Sequence, residues 1–323
     1  MNTPLRLNLA LAALLLGAVL LSLMAGRHWI PLADWLGGDL RSLIIMQLRL
    51  PRAVVGVMVG ASLGMAGAAM QGYLRNPLAD PGLFGISSSA ALGAVTSLYF
   101  GMAVSAYLLP VFALTGAACG MALLSLLAGR SGSLIMFTLA GVVLSSLTGS
   151  LTSLMISLAP TPFASAEIIT WLMGALVDRS WDDVKIAALP MLLGLALLLA
   201  TGRSLDALTL GEATARSLGV DMKRLQWLML LGVGLTVGAS VAIAGIIGFV
   251  GLVVPHLVRP LVGNCPAALL IPSALAGAIL VVVADSVVRI LPSASEVRLG
   301  IAMSALGTPF FLMLLYKLRR EVA

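Results

Sequence analysis

Charged side chains are scarce in this chain of 323 residues: 10% of the residues are charged, whereas 60% are hydrophobic. A soluble domain of this size cannot bury so much apolar surface, but a protein whose helices face lipid has no need to bury it. The composition therefore excludes an ordinary soluble domain. It predicts an all-α polytopic membrane protein in which residues 1–323 form a single transmembrane domain.

Candidate metal ligands and nucleophile pairs are few as well. The chain has two cysteines, Cys119 and Cys265, in different apolar segments and without metal-ligand spacing, and it has two histidines. Ser87 and His256 invite an intramembrane protease interpretation, but nothing in the sequence brings one to the other. We therefore expect no metal site, no cofactor and no catalytic centre, and no nucleic-acid partner.

The chain also lacks an obvious energy source. No lysine follows a glycine, so the phosphate-binding GxxxxGK[ST] loop of ATPases is absent. An ion-coupled carrier usually keeps ionisable groups within the membrane, and the apolar segments hold almost none; Asp285 and Arg289 are spaced to form an ion pair one helical turn apart. The energy should come from a partner. An ion-coupled secondary transporter stays as a remote alternative.

Ten apolar segments are long enough to be read as spans or half-spans, and an even number puts both termini on one side. Eleven of the nineteen Lys and Arg residues then fall on the side of the termini, which favours a cytoplasmic location for both ends. The first segment is read as a retained anchor and not as a signal peptide. The segments cover residues 9–26, 53–73, 83–100, 106–128, 134–158, 186–201, 226–246, 248–258, 267–288 and 299–316.

Two of these segments contain nearly the same sequence. VGVMVGASLGMAG, which starts at Val55, and VGLTVGASVAIAG, which starts at Val233, agree at eight of thirteen positions. Because the two copies should cross the membrane in opposite directions, we predict an inverted internal repeat with halves at about 53–158 and 226–316. The alternative is that helices rich in Gly, Ala and Val resemble each other by composition.

Two polar interruptions stand out on the predicted inner side. The first is an elbow formed by Asn76, Pro77, Asp80 and Pro81, where the prolines should break the helix and the two polar side chains should cap free amides. The second is residues 208–225, which are predicted to form a short amphipathic helix from Glu212, a turn at Gly219 and a second short helix. Either stretch could also be an ordinary loop between spans.

The chain resembles, over nearly its whole length, the permease subunit of bacterial ABC importers for iron complexes and cobalamin. The residues that carry the resemblance lie in the same order as in that family. They include LRLPR (48–52), MQGYLRNPLADPGLFGISSSAALGA (70–94), LGEATARSLGV (210–220), GFVGLVVPHLVR (248–259) and LGTPFFLMLL (306–315).

The resemblance implies a subunit of the bacterial inner membrane that pairs with a second copy, two ATP-binding cassette ATPase subunits and a periplasmic binding protein. Arg49, Arg52 and Arg289 would then pair with glutamates of the binding protein, since guanidinium groups bind carboxylates in a fork; the alternative is arginines that snorkel at helix ends. The residues expected to couple the chain to the ATPase are Gly211, Glu212, Ala213, Arg216, Leu218 and Gly219.

The resemblance also implies the kind of cargo. We expect an iron complex, either a ferric siderophore or haem, with cobalamin as the alternative. The pathway should be bounded by the segments 134–158 and 299–316, where Ser145, Ser146 and Thr148 are candidate lining residues. The elbow is expected to pack near the inner mouth and the ATPase.

Overall fold

A computed structural model of the chain describes residues 3–26, 28–35, 37, 39–102, 107–128, 134–292 and 296–322, and within these ranges the regular secondary structure is entirely helical. The helices are α1 (Thr3–Met24), α2 (Leu40–Leu74), α3 (Ile86–Tyr99), α4 (Leu108–Ala128), α5 (Leu134–Ser157), α6 (Pro162–Leu172), α7 (Trp181–Ala200), α8 (Gly202–Leu208), α9 (Glu212–Ser217), α10 (Met222–Ala244), α11 (Val250–Val258), α12 (Pro266–Ile290) and α13 (Leu299–Val322).

Each of the ten predicted segments coincides with a helix, although residue 106 lies outside the described residues. Seven described helices are long and apolar enough to cross a membrane, namely α1, α2, α4, α5, α7, α10 and α12. The helices α3 and α11 have 14 and 9 residues, so they are too short to span a bilayer as straight helices. The all-helical membrane fold is confirmed.

The second span begins earlier than its hydrophobic stretch indicated. The sequence predicted a start at residue 53, but the helix extends back to Leu40 through a wide π-helical segment at Ile44–Arg49. Pro51 follows this segment and has no amide hydrogen to donate to the preceding turn. A single π turn can accommodate a residue that cannot donate a backbone hydrogen bond. The helix therefore continues across Pro51 instead of starting after it.

The two helices that contain the repeat form the centre of the bundle. In the 18-residue apolar stretches of α2 and α10, 78% of the residues are buried, against 11–28% in α1, α4, α5 and α7. The end of α10 lies against Gly174 and the first part of α2 accepts a hydrogen bond from Trp181 at the Met46 carbonyl, so both lie beside the connection between α6 and α7. The repeat helices therefore run in opposite directions, as an inverted repeat requires.

The packing partners are exchanged between the two halves. The first copy of the repeat, in α2, packs on α12, which is two helices after the second copy; the second copy, in α10, packs on α4, which is two helices after the first. Close approach depends on glycine, since a Cβ added to Gly60 would lie 2.3 Å from the carbonyl oxygen of Gly277. Backbone contact of this kind holds membrane helices together without a hydrophobic driving force.

Candidate functional site

A buried cluster of charged residues lies at the end of the bundle where α2 starts and α12 ends. The Arg52 guanidinium forms a two-pronged ion pair with Asp285, with nitrogen–oxygen distances of 2.8–3.1 Å. A second contact from Arg52, 2.8 Å long, reaches Glu296 in the segment before α13. Arg289 lies 3.2 Å from Asp285 and so completes the predicted ion pair one helical turn apart.

Arg289 of this cluster and the neighbouring Arg49, which together with Arg52 we call the arginine cluster, also form hydrogen bonds with the end of α1. Arg289 donates to the Ser22 carbonyl and hydroxyl oxygens. Arg49 donates to the carbonyl oxygens of Leu23 and Met24 at 2.8 Å and to that of His28. Carbonyls in the last turn of a helix have no partners within the helix, and a cation satisfies both their hydrogen bonding and the helix dipole. The cluster therefore ties α1, α2 and α12 together.

The arginines predicted to dock a binding protein do converge, but they face inward. Arg52 and Arg289 are only 9% and 6% exposed, whereas Arg49 is half-buried at the edge of an open cleft of about 360 Å³. Docking therefore stays a prediction, and these residues have a structural role in addition. Sequence reasoning missed Glu296 and the Arg52–Asp285 pair, because partners 233 and 244 residues apart leave no local signal.

The predicted coupling segment lies at the opposite end of the bundle. Gly211 and Gly219 bracket α9 with φ angles of +99° and +88°, a backbone region that favours glycine. The Val220 amide donates back to the Ala215 carbonyl and closes the helix end. The predicted second short helix is wrong: it is the first turn of α10, because Asp221 caps the amides of Lys223 and Arg224 and the span begins there.

Most of the residues predicted to contact the ATPase are accessible. Ala213, Arg216, Leu218 and Gly219 are exposed, and Glu212 is half-buried and paired with Arg216 one turn on. The turn itself is held to the bundle by Ala215, which is fully buried. An exposed leucine, Leu218, at the tip of a rigid polar turn is a surface suited to a groove on another protein.

The elbow between α2 and α3 has the predicted break and the predicted capping. The Asn76 side-chain oxygen accepts from the Leu78 amide at 2.9 Å, and Asp80 accepts from the Gly82 amide at 2.8 Å. Burial raises the pKa of the Asp80 carboxyl above its ordinary value, and the hydrogen bond from Gly82 lowers it in part. Pro81 then opens a short 3-10 turn that ends at Phe84.

The elbow starts at the surface beside the coupling segment, with Asn76 and Pro77 exposed, and ends inside the bundle, where Pro81 and Phe84 are buried. The Phe84 ring meets Phe137 of α5 edge to face, with ring centroids 4.6 Å apart. Asn76 and Thr209 line one cleft, so the elbow lies next to the segment that leads into α9. The elbow is therefore anchored to α5 on one side and faces the coupling segment on the other.

A glutamine of α2 compensates for a proline in α11. Pro255 has no amide hydrogen, so the carbonyl of Gly251 four residues earlier has no partner within its helix. The Gln71 side-chain nitrogen lies 3.3 Å from the carbonyl oxygens of Gly251 and Leu252, and its oxygen accepts from Arg259. Sequence reasoning missed this role of Gln71.

The three candidate pathway residues do not share one face. Thr148 is buried, donates to the Leu144 carbonyl and lies 2.8 Å from the Ser88 hydroxyl, and Ser145 lies 3.4 Å from the Gly82 carbonyl. Ser146 is exposed on the outer face of α5. Ser145 and Thr148 therefore join α5 to the elbow and α3, and only Ser146 is open to a pathway outside the subunit.

Groups that could hold a metal ion are absent from the part of the chain that the structure describes. No cluster of three His, Cys, Asp or Glu residues lies there. Both cysteines are unpaired and exposed, Cys119 on α4 and Cys265 at the start of α12.

The family model and the similar proteins all indicate the same family of transport proteins. The FecCD transport family matches residues 14–317. The chain is 39% identical over 318 residues to the Fe(3+) dicitrate transport system permease protein FecD of Escherichia coli (strain K12), covering 97% of this chain and 98% of that protein. It is 41% identical over 281 residues to the Fe(3+)-citrate import system permease protein YfmD of Bacillus subtilis (strain 168), covering 87% and 83%. Identity to the vitamin B12 import system permease protein BtuC of Salmonella typhi is 37% over 316 residues, covering 97% and 95%.

Solved structures agree with these relatives. A metal-chelate type ABC transporter in an inward-facing conformation superimposes with a TM-score of 0.89 at 35% identity, covering 97% of this chain and 99% of that chain. PsaBC from Streptococcus pneumoniae, at 18% identity and a TM-score of 0.55 over 87% of this chain and 93% of that chain, shares the fold alone. Because the family match and the relatives span almost the whole sequence, the chain belongs to the FecCD transport family.

Proposed function

We propose that this chain is the inner-membrane permease subunit of an ABC importer that moves a ferric chelate into the cell. The observation that carries the proposal is the 39% identity to a ferric dicitrate permease along 98% of that protein. The chain itself would form no covalent bond, because ATP is hydrolysed by the partner. Cobalamin is the second candidate cargo, supported by 37% identity to a vitamin B12 permease over 95% of its length.

The proposed assembly has two copies of this chain, two ATPase subunits and one binding protein. The ATPases would bind α9 and its flanking turns, where Leu218 is exposed and where Gly211 and Gly219 have the positive φ angles that define the turns. The exposed face of α5 that carries Ser146, together with α13, would line a pathway between the two copies. Transport would then follow changes in the position of the coupling segment.

Uptake by the reconstituted complex tests the cargo. Proteoliposomes that contain this chain, its ATPase and its binding protein should accumulate radiolabelled ferric citrate when ATP is enclosed with the ATPase. A variant ATPase without its phosphate-binding lysine is the matched control and should give no uptake. Accumulation of cobalamin but not of ferric citrate would assign the chain to the second candidate.

The same liposomes without the ATPase test the remote alternative. If a proton or sodium gradient drives accumulation through the chain alone, the chain is a secondary transporter and the proposal is wrong. Apart from Asp285, the described spans keep their acidic residues near the ends, and Asp285 is held between two arginines. We therefore expect no gradient-driven uptake.

Arg49 and Arg52 are proposed to meet glutamates of the binding protein. Changing both to glutamate should abolish stimulation of ATP hydrolysis by the binding protein. Because Arg52 also pairs with Asp285, the variant complex must first retain its basal ATPase rate and thermal stability. Normal stimulation in such a complex would remove the docking assignment.

A further inference from the structure

A cleft of about 300 Å³ opens between the end of α2, the connection that follows α8 and the start of α12. Its lining is rich in hydrogen-bond donors and includes no carboxylate among the described residues. The polar lining residues are Gln71, Arg75, Asn76, Thr209, Arg259 and Asn264.

Two arginines give this cleft its charge. Arg75 is exposed at the end of α2 and has a φ angle of +49°, and Arg259 is half-buried one turn beyond Pro255. One Arg259 nitrogen donates to Gln71, but its Nε is shielded from solvent and has no hydrogen-bond partner among the described residues. A buried guanidinium nitrogen without a partner costs free energy, so this site favours an anion with several acceptor oxygens.

The start of α12 also borders the cleft, although the carboxylate of Asp206 offsets the positive end of its helix dipole. Pro266, the first residue of this 25-residue helix, lines the cleft, and the amino end of a helix carries partial positive charge. Asp206 accepts the Ala267 amide at 2.8 Å, but it is not part of the lining. Glu212, the carboxylate on α9, is already paired with Arg216.

The surroundings of the cleft are apolar. Leu257 and Leu261, two residues before and after Arg259, are both more than half exposed. Gln71 and Gly72 lie in the last turn of a membrane span, so the cleft is at the level where lipid headgroups meet the hydrocarbon region. A basic cleft between spans with apolar neighbours fits a phosphate group that carries acyl chains.

We propose that this cleft binds the phosphate of an anionic phospholipid, with Arg75 and Arg259 as its ligands. Phosphatidylglycerol and cardiolipin have this chemistry, and the site lies beside the coupling segment through Thr209. The proposal needs only that the chain spans a membrane. It does not depend on the cargo or on the ATPase, so its failure would leave the proposed transport function intact.

Binding of a short-chain lipid to the purified chain tests the site. The full chain in a non-ionic detergent is titrated with dioctanoyl phosphatidylglycerol, and bound lipid is counted by native mass spectrometry. We expect Arg75→Gln and Arg259→Gln each to weaken binding roughly tenfold, since each removes a charge-assisted hydrogen bond. Arg203→Gln is the matched control, because Arg203 is exposed at the same end but does not line the cleft.

Equal binding by all these variants would overturn the proposal. If Arg259→Gln misfolds through the loss of its contact with Gln71, Arg75→Gln decides alone, because its side chain is exposed. Two further probes identify the source of the phosphate. Dioctanoyl phosphatidylcholine should bind more weakly, and sodium phosphate at the same concentration should not compete; competition by free phosphate would overturn the lipid assignment.

Discussion

Arg289 and Asp285 form the most buried ion pair in the described part of the chain, with side chains 6% and 3% exposed, and Arg52 at 11% contacts the same carboxylate. Two arginines share this one carboxylate, and Glu296 supplies the second negative charge. Charges in an apolar environment are tolerated only when they are paired and hydrogen-bonded, so each member depends on the others. The cluster is therefore sensitive to the loss of a single group.

Asp285→Ala should destabilise the protein by about 3–5 kcal/mol, because it leaves two buried guanidinium groups without their shared partner. The measurement is thermal unfolding of the detergent-solubilised chain. Asp182→Ala is the matched control, since the Asp182–Lys185 pair is exposed and should be worth less than about 1 kcal/mol. Equal losses in the two variants would contradict the role assigned to the cluster.

Asp80→Asn should keep or increase stability at neutral pH. Because burial raises the folded-state pKa of Asp80, this residue stabilises the fold most below its unfolded pKa of about 3.9, and that contribution is lost as pH rises through the folded pKa. Asparagine keeps an oxygen for the Gly82 amide but cannot ionise. The gap in melting temperature between variant and wild type should widen as the pH rises from about 4, near the unfolded pKa, to about 8.

Asp80→Ala provides the contrast, since alanine cannot accept the amide hydrogen bond and should lower stability at both pH values. A loss of stability in Asp80→Asn at pH 8 would mean that the charge itself is needed at the elbow.

The central element of the bundle is the contact between α2 and α12. Gly60 and Gly64 of α2 meet the backbone of α12 at Gly277 and Ser273, and Gly67 meets Gly251 of α11. Gly60 and Gly64 are one helical turn apart, so they lie on the same face of α2, and this face allows the close helix packing. The contact joins the two repeat halves, so it supports the fold as a whole.

Gly60→Ala should cost about 1–3 kcal/mol, because its Cβ would lie 2.3 Å from the Gly277 carbonyl oxygen and backbone cannot move aside cheaply. Gly17→Ala is the control within α1, where nothing lies within 4 Å of the added carbon. That change should be neutral or slightly stabilising, since alanine is the better helix former. Thermal unfolding of both variants checks this, and an unaffected Gly60→Ala would rule out tight packing there.

Gly211→Ala and Gly219→Ala should uncouple ATP hydrolysis from transport with little change in the stability of the spans. Both residues have positive φ angles but open space around the missing side chain, so only the shape of the coupling segment is strained. The measurement is the ratio of chelate uptake to ATP hydrolysed in proteoliposomes. Gly101→Ala carries the same backbone strain in an open turn after α3 and should leave the ratio unchanged.

At the scale of the whole molecule, burial is uneven. The outer helices α1, α4, α5 and α7 have mostly unburied apolar stretches, as expected for surfaces that face lipid or a second copy. The arginine cluster is at one end of the bundle, and the elbow, coupling segment and basic cleft are at the other. This polarity requires one orientation in the membrane if the ATPase is to reach α9.

Labelling of the two natural cysteines tests that orientation. Cys265 lies at the coupling end and should react with a membrane-impermeant maleimide in inverted inner-membrane vesicles but not in intact spheroplasts. Cys119 lies in the middle of α4 and should react only after detergent is added. A Cys265→Ser variant is the control for the first signal. Labelling of Cys265 in spheroplasts would invert the proposed topology.

The sequence by itself determined the membrane class, the ten apolar segments, the repeated helices and the polar turn within residues 208–225. These properties depend on composition and on neighbours a few residues apart, such as the proline and aspartate of the elbow. Glycine at a positive φ angle and aspartate at a helix start act on residues next to them, so the sequence alone is enough to predict their effects. Even the Asp285–Arg289 pair was predictable, because it spans one helical turn.

Only the tertiary structure decided how distant residues meet. It brought Arg52 to Asp285, Gln71 to the carbonyl left free by Pro255, and Arg75 to Arg259 at one cleft. It also turned Ser145 and Thr148 inward while leaving Ser146 exposed. A partner more than a hundred residues away has no effect on local propensity, and in so apolar a chain the hydrophobic pattern does not say which helix faces which. Close backbone packing decides which helices are neighbours, and the positions of the helices then decide which buried charges form pairs.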